Sequence, residues 1–305
     1  MKPLKNYWIV KKNSRASSLL RLGEIKMDIR FSIDEAVRKR YSVRNYNGEI
    51  IEENIKEKIR LFMASLDNPF GKDVYFHFLD NEDVNKEEKL GTYGVIKGAS
   101  QYIGTTIEKE DFSLEALGYE LEVLMLYLSD LNIGTCWLGG TFDRKGFAKA
   151  MDIGENQLFP AITPYGYAAQ KKHIKEMAMR KMIKAEQRKD WKELFFKDNF
   201  DNPISKEDAA DLEFAFEMVR LGPSASNKQP WRIVLIDNTV HFYQHKEPKY
   251  SEHFPYDIQK IDMGIAAAHF ELAVREKGIK GEFKYNLDPE LKLPENIIYA
   301  FSWSR

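Results

Sequence analysis

Residues 221–237, LGPSASNKQPWRIVLID, join a predicted helix to a predicted strand. The spacing of apolar residues over 206–221 predicts the helix. Gly222 and Pro223 predict where it ends, because glycine accepts the left-handed cap and proline cannot continue a helix. Residues 231–236 are apolar and rich in β-branched side chains, which predicts a buried strand.

The loop between them, residues 224–229, is longer and more polar than a tight turn requires. Its hydroxyl, amide and backbone donors lie between two rigid elements, a position that is typical of binding residues. Gln229 precedes Pro230 and is therefore expected to be extended. An ordinary polar loop is the alternative that these residues leave open.

The order of residues in P-S-A-S-N-x-Q-P-W-R, followed by an apolar strand, resembles the flavin-contacting loop of the FMN-dependent nitroreductase superfamily. The resemblance implies that this loop lies against the isoalloxazine ring of FMN. In that family the FMN is bound mainly by the other subunit of a homodimer. The implied flavin contacts in this chain are Pro223, Ser224, Ser226 and Asn227.

A second motif, RKRYSVRNY over residues 38–46, places Arg40, Ser42 and Arg44 at a spacing of two. In an extended segment these three side chains point the same way. Two guanidinium groups and a hydroxyl suit a phosphate dianion, although a solvated basic turn is the alternative. R-x-S-x-R after a first helix also resembles the family's pattern for the FMN phosphate.

Two weaker matches follow in the first part of the chain. Gly139 and Gly140 match the family's small-residue turn, whose backbone amides face the N5 and O4 edge of the flavin, although a simple turn would also accept glycine. R-K-x-x-x-E-L resembles the segment in which a basic side chain completes the phosphate site. Arg188 or Lys189 is the candidate, and Lys184 or Arg180 are alternatives.

The composition sets limits on the function. The chain has 305 residues, 43% hydrophobic and 30% charged, with a net charge of −1. This charge balance does not indicate binding to nucleic acid or to a membrane surface. The sequence has no run of about eighteen apolar residues, so no membrane span is predicted. The single cysteine, Cys136, excludes an internal disulfide, fits a cytoplasmic location and is expected to serve in packing.

Residues 1–30 are expected to form an N-terminal extension. Residues 1–26 are basic and contain no apolar segment of the length found in a secretory signal. Met27 is the suspected natural start of the protein. Ser32 with Glu35 three residues later predicts the N-cap of the first helix.

The rest of the chain alternates between helical and strand patterns. Further helices are predicted over 52–66, 113–131, 174–185 and 260–277, and strands over 74–79, 100–107 and 160–169.

Part of the chain is repeated. LGYELEVLMLYLSDLNIGTCW parallels MGIAAAHFELAVREKGIKGEF without a gap, so Gly118 aligns with Gly264 and Ile133 with Ile279. This predicts an internal duplication, with two unrelated amphipathic helices as the alternative. The predicted fold is α+β and nitroreductase-like, with half one at 31–198 and half two at 199–305. The two long helices should pack centrally against each other.

The halves have lost complementary motifs. Half one keeps R-x-S-x-R but reads SLDNPFGKD where half two has P-S-A-S-N, and half two has no R-x-S-x-R. The resemblance therefore implies one complete FMN site and one dead site per chain. The chain is most similar to internally duplicated nitroreductases and is expected to be a monomer that acts as a pseudo-dimer.

The function that the resemblance implies is an NAD(P)H oxidoreductase that uses FMN to reduce a small electron-poor acceptor, such as a nitroaromatic or a quinone. A flavin-free binding or scaffold protein is the alternative, and flavin fragmentation or reductive dehalogenation is a third. No catalytic acid or base is predicted. Metal binding by His241 and His245 is weighed against an exposed polar strand, and Asp262 and His269 are expected to cap or pack.

Overall fold

Two five-stranded sheets with helices packed on them form the described part of the chain, which in the computed structural model is residues 9–10, 31–80, 90–170, 177, 181–182, 184 and 186–305. The helices are α1 (Ile33–Lys39), α2 (Glu53–Ser65), α3 (Ser113–Asp130), α4 (Arg144–Ala150), α5 (Trp191–Leu194), α6 (Lys206–Ala209), α7 (Glu213–Leu221) and α8 (Gln259–Glu276). The strands are β1 (Ile9–Val10), β2 (Val74–Asp80), β3 (Gln101–Ile107), β4 (Gly134–Thr135), β5 (Leu158–Gly166), β6 (Phe195–Lys197), β7 (Trp231–Ile236), β8 (Thr239–His245), β9 (Glu282–Lys284) and β10 (Ile297–Ser304).

The two sheets repeat one strand order. Sheet one runs β1-β2-β3-β5-β4 and sheet two runs β6-β7-β8-β10-β9. Every pair of neighbouring strands is antiparallel except β6 and β7, which are parallel. Strands β2 to β5 thus correspond to β7 to β10. The predicted α+β fold with two related halves is confirmed.

Helices α3 and α8 cross at a pair of glycines. A Cβ atom on Gly118 would lie 2.1 Å from the carbonyl oxygen of Ile261, and one on Gly264 would lie 1.9 Å from that of Glu115. Ile261 and Glu115 are related by the same offset as the two glycines, so the contact repeats itself as it would across a two-fold axis. Glycine is needed because any side chain would hold the two backbones apart.

The two halves share one core. The main apolar cluster includes residues from both sheets and from α3 and α8, and the central packing of these helices is confirmed. Strand β6 precedes the predicted boundary at residue 198 but pairs with β7 of sheet two. The boundaries of the halves stay a prediction.

Local sequence patterns predicted the bounds of most helices and strands to within a few residues of those observed. Ser32 caps α1 as predicted, with the backbone N–H of Glu35 donating to its hydroxyl over 3.4 Å. The prediction of a single helix over 206–221 was wrong, because the helix is interrupted at Ala210, where φ is +51°. Arg305 at the far end of the chain pairs with Asp211 over 2.6 Å beside this break, a contact that local periodicity cannot show.

Some predictions lie outside the described residues. These are the N-terminal extension apart from β1, the suspected start at Met27 and most of the helix predicted over 174–185. Among the residues that are described, no helix is both long and apolar enough to cross a membrane.

Candidate functional site

A cavity of about 730 Å³ lies between the two halves. Half one contributes the end of its R-x-S-x-R motif and the turn after β4, and half two contributes the P-S-A-S-N loop, the β8–α8 connection and the start of α8. The predicted site residues in its lining are Ser42, Arg44, Gly139, Gly140, Pro223, Ser224 and Ser226. The two motifs, about 180 residues apart in sequence, therefore meet at one cavity.

The P-S-A-S-N loop is held in an unusual backbone conformation. Ser226, Asn227 and Gln229 have φ angles of +48°, +57° and +49°, which non-glycine residues adopt only when their surroundings compensate. The backbone N–H of Gln229 donates to Ser224 Oγ over 2.8 Å, and that of Ala225 donates to Asp262 Oδ1 over 2.9 Å. The expectation that Gln229 is extended was wrong, because this network outweighs the preference set by Pro230.

The R-x-S-x-R motif is divided by the structure. Ser42 and Arg44 line the cavity, whereas Arg40 lies at the end of α1 with its side chain only 6% exposed. Its Nε atom is 3.6 Å from Oε1 of Glu122, a carboxylate on α3. The three side chains therefore do not all face the cavity directly.

Both arginines of the motif keep buried donors without a hydrogen-bond acceptor. These are Nε of Arg44 and both Nε and Nη1 of Arg40, counted over the described residues. A buried donor left unpaired costs about 1–3 kcal/mol, and more when it is charged. Such a set of donors suits an anion.

Arg188 lies beside this group. It donates to the carbonyl oxygen of Leu221 over 3.1 and 3.2 Å and to Asn227 Oδ1 over 3.5 Å. Burial, together with the smaller effect of the like charges of Arg40 and Arg220, lowers the pKa of Arg188 to about 10. Three predicted residues that do not line the cavity, Arg40, Arg188 and Asn227, thus form a second group next to it.

The alternatives to Arg188 are placed differently. Lys189 donates its backbone N–H to Gln229 Oε1 over 2.8 Å, and Lys184 accepts at its carbonyl oxygen from Asn227 Nδ2 over 2.8 Å. Both use backbone groups to hold the loop. Arg180 lies outside the described residues.

The glycine turn lies tightly against half two. A Cβ atom on Gly139 would be 3.1 Å from Ile258 Cδ1, and one on Gly140 would be 3.2 Å from Phe254 Cζ. Arg144 donates to the carbonyl oxygen of Gly139 over 2.6 Å and to the hydroxyl of Tyr256 over 3.2 Å. No sequence motif had indicated this residue. This arginine ties the turn of half one to the connection of half two.

A family model described as "Putative TM nitroreductase" matches residues 32–274, which include both motifs. The chain belongs to this nitroreductase family. A crystal structure of a putative nitroreductase from Thermotoga maritima MSB8 aligns with 92% of this chain and 99% of that chain, at a TM-score of 0.57 and 19% identity. The two proteins share the fold over nearly the whole of both chains.

Two further solved structures align with about half of this nitroreductase-family chain. One is a nitroreductase with bound FMN from Bacteroides fragilis NCTC 9343, at a TM-score of 0.39 and 18% identity over 47% of this chain and 92% of that chain. The other is an FMN-dependent nitroreductase from Clostridium difficile R20291, at a TM-score of 0.38 and 20% identity over 46% and 89%. No curated protein matches the chain.

The β8–α8 connection covers the cavity of this nitroreductase-family chain. Glu247, at its start, pairs with Lys228 of the P-S-A-S-N segment over 2.8 Å. Tyr250 donates its hydroxyl to Ser226 Oγ over 2.9 Å, and Phe254 packs over Gly140. No motif in this connection indicates a role; its length and its aromatic residues are the signal that could have shown one.

A buried polar network runs from the cavity into the core. Trp137, which lines the cavity, donates its indole N–H to Glu122 Oε2 over 2.7 Å. His269 Nε2 is 2.9 Å from Glu122 Oε1, and His269 Nδ1 is 2.9 Å from the carbonyl oxygen of Met218. Burial raises the pKa of Glu122, but Arg40, His269 and Trp137 together hold it below its ordinary value.

The internal repeat gives the cavity an equivalent place elsewhere in the structure. Aromatic rings fill that place. Tyr285 corresponds to Gly139 at the offset that relates Gly118 to Gly264, and its hydroxyl donates to the carbonyl oxygen of Pro69. The ring of Tyr285 lies 5.9 Å from that of Phe70 and 5.0 Å from that of Phe112. Phe70 belongs to the SLDNPFGKD loop. These three rings are named the aromatic plug.

Proposed function

We propose that the protein is an FMN-dependent NAD(P)H oxidoreductase that reduces small electron-poor acceptors such as nitroaromatics or quinones. The observation that carries this proposal is the meeting of the R-x-S-x-R motif of half one and the P-S-A-S-N loop of half two at one cavity. Membership of the nitroreductase family and the cofactors of the similar solved structures support it.

The residues present fit FMN. Ser42 and Arg44 would hold the phosphate, with Arg40 and Arg188 adding positive charge beside them, and the unpaired guanidinium donors support this assignment. Residues 223–226 and the turn at Gly139 and Gly140 would contact the ring. Each group comes from a rigid part of the fold, which is what a positioned cofactor needs.

Bound FMN would accept a hydride from the reduced nicotinamide and supply the electrons for the acceptor. The chain would hold both substrates against the ring in turn and exclude water. Trp137 and Phe254 give the cavity apolar walls that suit flat, weakly polar acceptors, and the β8–α8 connection covers it. No side chain is required to move a proton in this proposal.

The pseudo-dimer is part of the same proposal. Halves 31–198 and 199–305 would together form one FMN site, in a monomer located in the cytoplasm. The aromatic plug supports a single site, because its rings occupy the space that corresponds to the cavity.

The purified protein should be yellow and hold one FMN per chain. We expect bound FMN to be reduced by NADH or NADPH and reoxidised by benzoquinone or a nitrobenzoate. The measurements are flavin absorbance per chain, mass in solution and nicotinamide oxidation. Two flavins per chain, or flavin held only by a dimer and lost on dilution, would contradict the single internal site. Absence of flavin binding at high FMN concentration would favour the scaffold alternative.

Arg44→Ala should weaken FMN binding by roughly tenfold to a hundredfold, because a charge-assisted hydrogen bond contributes about 1.5–3 kcal/mol. Riboflavin has no phosphate, so its affinity should change little. Titration of both ligands checks this result. Arg38→Ala is the matched control, since Arg38 is exposed on α1 and pairs with Asp34 over 2.7 Å. An equal loss of affinity for FMN and for riboflavin would show that Arg44 does not bind the phosphate.

A further inference from the structure

Asp262 carries a buried oxygen atom without a partner at the wall of the cavity. The residue is 2% exposed and lies in the first turn of α8. Its Oδ1 atom accepts the backbone N–H of Ala225 over 2.9 Å. Its Oδ2 atom is buried and has no hydrogen-bond partner in the described part of the chain. The carboxyl of a residue that lines the cavity thus keeps one oxygen whose hydrogen bond is not made within the protein.

The groups around Asp262 do not favour a carboxylate. Asp257, just before the helix, adds a like charge. On the helix itself, the cation of Lys260 is 3.8 Å from Glu115. From the β8–α8 connection Asp262 faces the phenol of Tyr250. Burial raises the pKa of Asp262 well above its ordinary value; the N–H of Ala225 acts against this shift and Asp257 adds to it.

The dipole of α8 acts against this shift, because it favours the charged carboxylate of Asp262. A negative charge in the first turn of a helix is stabilised only modestly by the dipole. A buried charge without a full set of partners is destabilised far more strongly. The second effect is larger, so the neutral acid is the form that the apoprotein favours.

The internal repeat shows that this carboxyl is not needed for helix packing. Ala116 occupies the position on α3 that corresponds to Asp262, at the offset that relates Gly118 to Gly264. Both helices cross in the same way, yet only α8 has a carboxyl there. It occurs on the side with an open cavity, whereas the aromatic plug fills the other side. The carboxyl is thus associated with the ligand site.

We propose that Oδ2 of Asp262 carries a proton and donates a hydrogen bond to a carbonyl oxygen at the edge of the flavin ring. This inference rests on the proposed function. The pyrimidine part of the flavin has two carbonyl groups, and a fixed donor there draws electron density toward the oxygen. Asp262 would thereby position the ring and favour its reduced form.

A matched pair of variants tests this role. In Asp262→Asn the amide oxygen can still accept from Ala225, and the NH₂ group can donate in place of the acid proton. Asp262→Leu removes both groups at similar volume. We expect the Asn variant to bind FMN within about threefold of wild type and the Leu variant to bind roughly tenfold to a hundredfold more weakly.

Infrared spectra of bound FMN separate ligand contact from loop positioning. One flavin carbonyl band should lie at lowest wavenumber in wild type, higher in Asp262→Asn because N–H is the weaker donor, and highest in Asp262→Leu. The comparison of wild type with Asp262→Asn stands even when the Leu variant holds no flavin. Melting temperatures of the apoproteins report any loss of folding.

Two results would overturn the inference. Identical carbonyl bands in wild type and Asp262→Asn would mean that Asp262 only holds the loop through Ala225. A loss of FMN by Asp262→Asn as large as that by Asp262→Leu would mean that the group is a carboxylate acceptor. Either result leaves the proposed function intact, whereas wild-type protein that binds no FMN would end both.

Discussion

Replacing Gly139 with tyrosine should abolish FMN binding and leave the chain folded. Tyr285 already occupies the corresponding position in half two, where it packs on Phe70 and Phe112. The added Cβ would lie 3.1 Å from Ile258 Cδ1, the end of a flexible side chain that can shift, and the new ring would extend into the cavity space assigned to the flavin. We expect a loss of at least about a hundredfold in FMN affinity, or about 2.7 kcal/mol. Flavin titration measures the loss, and thermal melting of the apoprotein reports folding.

Tyr285→Gly is the reciprocal control. It removes part of the aromatic plug, but half two has no R-x-S-x-R motif to hold a phosphate. We therefore expect no second FMN and the ordinary affinity at the first site. If Gly139→Tyr kept FMN affinity within tenfold of wild type, the ring would not lie against this turn.

Gly264→Ala should strongly destabilise the whole chain. The added Cβ would lie 1.9 Å from the carbonyl oxygen of Glu115, so α3 and α8 would have to separate. Overpacking costs about 1–3 kcal/mol and occasionally more, against a gain of about 1 kcal/mol in helix propensity. Because the clash is with backbone, we expect the overpacking cost to exceed that range and reach about 3–5 kcal/mol, which leaves a net loss of about 2–4 kcal/mol, measured by urea unfolding.

Two further substitutions make this prediction specific. Gly118→Ala should destabilise by a similar amount, since its Cβ would lie 2.1 Å from the carbonyl oxygen of Ile261. Gly154→Ala should be nearly neutral, because nothing lies within 4 Å of the added atom. A neutral or stabilising Gly264→Ala would show that the helices can move apart at little cost.

Local sequence signals predicted the elements and the two halves of the site. Residues 231–236 form β7 as predicted, because a run of β-branched residues has few alternatives. The alignment of Gly118 with Gly264 indicated the internal duplication, and the structure shows that the two helices cross at these glycines, where close backbone approach leaves no room for a side chain. The meeting of the two motifs at one cavity followed from their complementary loss rather than from any local pattern.

Contacts between distant residues account for the remaining differences. Arg40 lies beside Glu122, Gln229 is held by Ser224, and Ala210 breaks a helix next to the pair of Asp211 and Arg305. None of these partners can be read from periodicity or turn preferences. Asp262 was expected to cap or pack because its sequence neighbours give no sign that it lines the cavity and keeps an oxygen without a partner.

Strand β6 affects the risk of aggregation while the chain is being synthesised. It is three residues long, comes from the end of half one and covers the edge of β7 in sheet two. A bare strand edge recruits other strands and leads to aggregation. Because β6 precedes β7 in sequence, it leaves the ribosome first and is present when β7 emerges. Half two expressed alone would present the uncovered backbone of β7 to its neighbours, so we expect the covalent link to the preceding segment to protect the nascent chain from aggregation.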